Sequence, residues 1–209
     1  MKQAERSGAG WAGVCPLARR IAAGLVAIAA FASSSLQADE DLWSRLKSGG
    51  HVVVVRHAST EPGVGDPPSV KLGDCATQRN LSAPGREEST RLGGAFRARG
   101  IPVDEVLSSE WCRCRDTAQL AFGRYAPWPP LNSFFNDRSA EGAQTRAVRE
   151  RAARWQGPGN LVLVTHQVNI TALTGVFPVQ GEMVVLRPGG GDTVEVVGRL
   201  APPAGRSEK

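Results

Sequence analysis

Apolar positions along the chain form a few short unbroken runs, separated by stretches where they recur every three or four residues. The first run, His51-Val52-Val53-Val54-Val55-Arg56-His57, sets four valines between Gly49-Gly50 and polar residues. A β-branched run of this length predicts a strand buried on both faces, as in the middle of a parallel sheet. Leu161-Val162-Leu163-Val164-Thr165-His166 repeats the pattern, and Val103 to Leu107 gives a shorter version. In open α/β sheets ligands bind at the carboxyl ends of central strands, so Arg56, His57 and His166 stand where chemistry is expected.

Helical spacing lies between these runs. Leu42, Trp43 and Leu46 predict a short helix over Asp41 to Lys47, which Gly49-Gly50 stops. Ser82 can cap a second helix with Pro84 in its first turn, an apolar stripe at Leu92, Ala95 and Phe96, and Gly100 as its end. After the Val103 strand come Ser108-Ser109 and then Trp111 to Ala118, a helix start carrying Arg113 and Arg115. Amides at a helix start beside a guanidinium make an anion site. Glu141 to Trp155 reads as an amphipathic helix with Arg146, Arg149, Arg151 and Arg154 on a solvated face, and another helix begins at about Gln167 to Asn169. Met183 to Arg187 and Thr193 to Leu200 read as an edge hairpin. Its Gly189 to Gly191 is a turn and not a phosphate loop, since no helix or lysine follows. Ala58 to Arg79 has no apolar period, and a loop this long beside a strand end is functional or mobile. Tyr125 to Leu131, with Pro127, Pro129 and Pro130, is expected to be an extended connection, and Asn132 to Arg138 reads as loop.

Composition adds bounds. With 209 residues, 41% hydrophobic and 22% charged, the chain suits one globular domain. Its formal charge of +5 falls to +2 without the first 38 residues, 21 Lys+Arg against 19 Asp+Glu, which argues against a nucleic-acid partner. Those 38 residues predict an export signal. Lys2, Arg6, Arg19 and Arg20 precede the apolar run Ile21 to Ala32, and a small-residue region follows with cleavage expected after Ala38 or at Ser35. An uncleaved anchor is the competing reading. The expected division is a signal peptide over 1–38, a catalytic domain over 39–200 and a disordered tail over 201–209, with the mature chain periplasmic or secreted and not stably membrane-associated. Cys75, Cys112 and Cys114 would then meet an oxidising compartment, which permits one disulfide. Cys112-x-Cys114 has the wrong spacing for zinc, so no metal is expected.

Arg56-His57, Asn80-Leu81-Ser82-x-x-Gly85, Ser108-Ser109-x-x-x-Arg113-x-x-x-Thr117-Ala118 and Val164-Thr165-His166 occur in the order found in the histidine phosphatase superfamily. The chain resembles its phosphoglycerate mutase-like branch over about residues 50 to 187, departing from the usual pattern at Ala58, where many members have Gly, and at Cys114, where many have Ala. The resemblance implies a three-layer α/β/α sandwich with a mostly parallel central sheet. It also implies a metal-independent, cofactor-free phosphomonoester hydrolase acting on a small phosphorylated substrate. His57 matches the nucleophile that forms a phosphohistidine, and Arg56 and Arg113 match the phosphate arginines, with Arg115 as runner-up for the second. His166 matches the second histidine, donating to the transferring group, with amide donors from the helix that Gln167 begins. A non-catalytic phospho-ligand binder on the same fold is the alternative.

The proton donor to the leaving group is not set by these motifs. In this family a carboxylic acid often supplies the proton from the loop after the segment matching Leu131, but the aligned position here is Ser133. Asp137 is the expected substitute, with Asp66, Glu141 and Glu61 as further candidates. Cys75 leaves the catalytic strand's loop and Cys112 starts the Arg113 helix, so a Cys75–Cys112 bridge is expected, with Cys75–Cys114 as competitor. Among family substrates, an exported chain resembles periplasmic phosphatases of sugar phosphates more than the intracellular phosphohistidine phosphatases. Oligomeric state is not readable from the sequence.

Overall fold

The valine run forms β1, Val52–Arg56, with all four valines buried. The structure is a computed structural model that describes residues 37–205. The chain divides between Ala38 and Asp39, and apart from Gln37 and Ala38 the expected export segment lies outside the described residues. Residues 39–47 are helical (α1). There follow α2 (Ala83–Ala98), β2 (Val103–Ser108), α3 (Cys112–Phe122), β3 (Ala126–Pro127), α4 (Glu141–Ala153), β4 (Asn160–Thr165), α5 (Gln167–Thr174), β5 (Met183–Pro188) and β6 (Val194–Leu200).

The strands form one sheet in the order β3-β2-β4-β1-β5-β6. β3, β2, β4 and β1 are parallel, while β5 and β6 run antiparallel at the other end. The hairpin therefore contributes only β6 to the edge. β5 pairs with β1 and its Met183 to Leu186 are fully buried. Alternation along each strand sorts the core into two layers. Val53, Val55, Val162 and Val164 pack with Leu42 and Leu46 of α1, Leu92 and Phe96 of α2, and Ala118 of α3. Val52, Val54, Leu161 and Leu163 pack with Val148 and Ala152 of α4 and Ile170 and Leu173 of α5. This is the three-layer α/β/α architecture implied by the motifs.

Local chemistry explains the helix ends near the site. The Ser82 hydroxyl accepts the Gly85 N–H at 3.2 Å, and the Ser82 N–H bonds to Ser59 O at 3.1 Å. A Cβ on Gly85 would lie 1.9 Å from that same Ser59 oxygen, so only glycine lets α2 start against the chain leaving β1. The α4 arginines are less free than their pattern implies. Arg149 donates to Leu173 O at 3.3 Å, Arg151 pairs with Glu105 and stacks over Trp155, and Arg154 makes an exposed pair with Asp192 at 3.2 Å. Residues 201–205 have no regular structure, although Pro203 O accepts from Arg91 Nε at 3.3 Å.

The 58–79 loop is pinned to the start of α3. Cys75 and Cys112 are disulfide-bonded with Cα atoms 5.7 Å apart, which leaves Cys114 as a buried thiol. Gln78 Oε1 accepts the Cys112 N–H at 2.9 Å, and Gln78 Nε2 donates to Lys71 O and Leu72 O. The bridge spans 37 residues, for which loop-closure entropy gives about 4 kcal/mol. The Cys75→Ser/Cys112→Ser protein should therefore melt several degrees lower in scanning calorimetry, by no more than that free energy. Identical melting of the oxidised and double-serine proteins would show that the bridge contributes no stability.

Candidate active site

Three parallel strands end side by side. In the β1–β4 register Arg56 pairs with Thr165, so the next residues, His57 and His166, emerge as neighbours with ring centroids 5.5 Å apart. The His57 N–H bonds to Thr165 O at 3.0 Å, and the Ser109 N–H, just beyond β2, bonds to Val164 O at 2.9 Å. These ends open into a cavity of about 560 Å³ lined by Arg56, His57, Asp66, Arg79, Arg113 and His166, with Ser133, Phe135, Asp137 and Gln167 also lining it. A smaller hollow of about 260 Å³ between α2 and α3 has two arginines, Arg97 and Arg124, both bonded to backbone carbonyls, and no nucleophile.

His57 is 2% exposed. Its Nδ1 lies 2.9 Å from Ala58 O, a carbonyl that can only accept, so the proton sits on Nδ1. Nε2 has no partner among the described residues and carries the lone pair. Burial, then the Arg113 charge, pushes the imidazole down to about 3. The nucleophile expected from the sequence is thus neutral and oriented. The Ala58 N–H is held by Thr117 Oγ1 at 3.0 Å, and Thr117 in turn donates to Arg113 O at 2.7 Å, which ties the nucleophile's neighbour to α3.

Arg113 is 3% exposed, stacked over Trp111 at 4.4 Å. Its Nη1 donates to Asp66 Oδ1 at 2.9 Å, its Nη2 to His166 Nδ1 at 3.4 Å, and its buried Nε has no partner. Burial is the main cause lowering its pKa. Arg115 points elsewhere, donating to the Tyr125 hydroxyl at 3.0 Å, so Arg113 is the arginine that α3 brings to the cavity. Arg56 anchors one arm on Pro178 O at 2.8 Å and also keeps a buried, unpaired Nε.

The network around His166 fixes its tautomer. Asn132 Oδ1 accepts the Glu110 N–H at 2.8 Å and its Nδ2 donates to Glu110 Oε2 at 2.7 Å, so the amide cannot be flipped. The Ser109 hydroxyl donates to that Oδ1 at 3.0 Å and therefore accepts from His166 Nε2–H at 2.9 Å. His166 Nδ1 is then the bare nitrogen, facing Arg113. Burial and the Arg113 charge hold the ring well below its ordinary value, so it is neutral. His166 thus accepts from Arg113 instead of offering the donor expected of it. Cys114 Sγ lies 3.5 Å from the same Nε2, and burial pushes its thiol up to about 12. Gln167 begins α5 and lines the cavity with Val168.

The expected proton donor, Asp137, reaches the cavity wall but not in a suitable state. It is fully exposed and caps the turn Arg138–Ala140, where hydrogen bonding from the Ser139 side chain, then from the Ser139 N–H 3.0 Å away, holds its carboxyl below the ordinary range. A donor at neutral pH needs the opposite shift. Glu141 starts α4 in an exposed pair with Arg138, Glu61 is exposed, and neither lines the cavity. Asp66 does line it, through Arg113 and the Arg79 N–H at 3.1 Å. Arg79 had no signal in the sequence. The 58–79 loop carries a 3-10 turn at Cys75–Thr77 and no longer helix or strand, and the Cys75 and Gln78 tethers help hold that guanidinium at the cavity, where its Nε is buried and, among the described residues, unpaired.

No protein-family model matches the chain. Over 67 residues, 32% of this chain, it is 36% identical to a broad-specificity phosphatase of Saccharomyces cerevisiae, and the matched stretch spans only 27% of that protein. Among solved structures, one assigned to an alpha-ribazole-5'-P phosphatase of Escherichia coli superposes with a TM-score of 0.52 at 19% identity, covering 71% of this chain and 94% of that one. The protein histidine phosphatase SixA with tungstate gives a TM-score of 0.49 at 14% identity over 73% of this chain and 97% of that chain. The chain has the fold of the histidine phosphatase superfamily, in its phosphoglycerate mutase-like form. At these identities the overlays establish the fold alone.

The two buried neutral histidines make stability depend on pH. Their unfolded forms take up protons near 6.5, while folded His57 resists until about 3. The stabilisation is complete above about pH 6.5 and is lost as pH falls toward 3, because the unfolded chain binds more protons in that window. The melting temperature should drop from pH 7 to pH 4, and less steeply in His57→Gln. Parallel pH profiles for the two proteins would show that His57 is protonated in the folded state.

Proposed function

We propose that the chain is a phosphomonoester hydrolase that works through a phosphohistidine on His57, without a metal ion, on a small phosphoester outside the cytoplasm. The observation that carries this reading is the neutral His57 whose Nδ1–H is fixed on Ala58 O, leaving Nε2 toward a cavity with three guanidinium groups. The likeness of one segment to a broad-specificity phosphatase supports the same reaction class.

In the first half-reaction the Nε2 lone pair attacks phosphorus, the P–N bond forms and the P–O bond to the leaving group breaks, with a proton reaching that oxygen. Water then attacks the phosphohistidine, the P–N bond breaks, and orthophosphate leaves. Charge on the three phosphoryl oxygens is met by Arg56 and Arg113, whose unpaired Nε atoms offer donors already desolvated. His166, braced by Ser109 and Asn132, holds the Arg113 fork, and the α5 amides at Gln167 face the same charge.

An exported sugar phosphatase fits the charge pattern of residues 1–38, and the Cys75–Cys112 bridge supports an oxidising compartment. The alternative is a phospho-ligand binder that keeps the pocket without turnover. The discriminating test is repeated turnover of p-nitrophenyl phosphate in the presence of chelator, with rapid acid-sensitive quench for the phosphoenzyme. His57→Ala should form no acid-labile phosphoenzyme and lose all turnover. Arg113→Ala should lower kcat/KM about 100-fold or more, the scale for removing a preorganised charged donor. Saturable phosphate binding with no product would establish the binder, and a strict requirement for a divalent metal would overturn the mechanism.

A further inference from the structure

Resting on the phosphatase reading, we infer that Asp66 is the acid that protonates the leaving group and the base that activates water for the second half-reaction. The four carboxylates that the sequence offered as donors are separated by their surroundings. Glu61 and Glu141 do not line it, and Asp137 is held ionised by its own turn while exposed to solvent. Asp66 lines the cavity with its side chain 17% exposed, and one of its oxygens is shared between Arg113 Nη1 at 2.9 Å and the Arg79 N–H at 3.1 Å. It therefore sits one hydrogen bond from the guanidinium that receives the phosphoryl group.

The charges facing Asp66 are Arg113 and Arg79, with Arg56, the neutral rings of His57 and His166, and Asp137 lining the same cavity. A phosphoryl group docking on Arg113 claims the same guanidinium and places up to two negative charges beside Asp66. Losing a share of its cation and gaining an anionic neighbour both favour the neutral acid. Substrate binding thus converts a structural carboxylate into a proton donor at the moment one is needed. The proton comes from solvent or from the phosphoryl monoanion, whose second ionisation lies near pH 6.

The step then balances. As Nε2 of His57 bonds to phosphorus, the ester P–O bond breaks and the leaving oxygen takes the Asp66 proton, giving the alcohol, the phosphohistidine and the Asp66 carboxylate. In the second half that carboxylate takes a proton from the attacking water as its oxygen bonds to phosphorus and the P–N bond breaks. Arg79 is the positioning residue, since its N–H holds the carboxylate oxygen and the disulfide-tethered loop holds Arg79.

The test is Asp66→Asn, which keeps an acceptor for Arg79 and Arg113, assayed by kcat/KM because that ratio reports the steps through phosphoenzyme formation. With an alkyl phosphate such as glycerol phosphate the loss should be about 100-fold or more, the usual contribution of a general acid. With p-nitrophenyl phosphate, whose leaving group scarcely needs a proton, the loss should stay within about threefold. Orthophosphate should inhibit the variant more tightly, because Arg113 no longer shares its charge with a carboxylate. Equal losses on both substrates would mean a merely structural loop contact, and a leaving-group-dependent loss in Asp137→Asn instead would return the role to Asp137. Either result overturns the assignment while wild-type phosphoenzyme formation leaves the phosphatase reading standing. A wild-type chain that forms no phosphoenzyme removes that reading and this inference with it.

Discussion

The pairing of β1 with β4 is the constraint on which the site depends. Its register, Arg56 opposite Thr165, brings two histidines 109 positions apart in the chain to adjacent strand ends, and the bond from His57 N–H to Thr165 O locks the last step. A slip of one residue would turn His57 to the opposite face of the sheet, toward α4 and α5 and away from Arg113. The burial of Val53, Val55, Val162 and Val164 against one helical layer and of their alternate neighbours against the other makes such a slip expensive. The same hydrophobic alternation that builds the core therefore aligns the two histidines.

Around that alignment the structure concentrates positive charge that it does not fully neutralise. Arg56, Arg79 and Arg113 each keep a buried Nε without a partner, and Asp66 is the carboxylate shared by two of their residues. Buried donors left unpaired oppose folding, so they persist where a ligand supplies the missing acceptor. Trp111 over Arg113, the Pro178 carbonyl on Arg56 and the Val64 carbonyl near Arg79 reduce the cost without filling the site. The two histidines meet the same positive field by remaining neutral, which suits a nucleophile and explains why His166 receives a hydrogen bond from Arg113.

The irregular segments take their places from covalent and polar tethers, since they have little apolar surface to bury. Cys75 and Gln78 fasten the 58–79 loop to Cys112, one residue before Arg113, so the loop's Asp66 and Arg79 are located relative to that guanidinium. On the opposite side Asn132 receives Ser109 and Glu110 and passes its own carbonyl to Asn169 Nδ2 at 2.8 Å, joining β2, the segment after Leu131 and α5. One side positions charge and the other fixes a tautomer.

The sequence alone determined the longer strands, because unbroken valine and leucine runs have no other way to be buried, whereas the two-residue β3 in the proline-rich segment carried no such signal. It also determined most helix limits, through Ser82, Pro84 and Gly100, and the residues that leave the strands, hence Arg56, His57, Arg113 and His166 as candidates. The mostly parallel α/β/α layering followed from the alternation of such elements. What only the tertiary structure decided lies where no periodicity constrains the chain. The edge hairpin placed one strand inside the sheet, two α4 arginines turned from solvent to their neighbours, and Asp137 proved to be an exposed cap. Arg79, Asp66, Ser109 and Asn132 acquired their relations to the cavity from contacts between residues 13 to 57 positions apart, such as Asp66 with Arg79 and Ser109 with His166. Periodicity reports which face a residue presents, and it carries no information about which distant loop will close over that face.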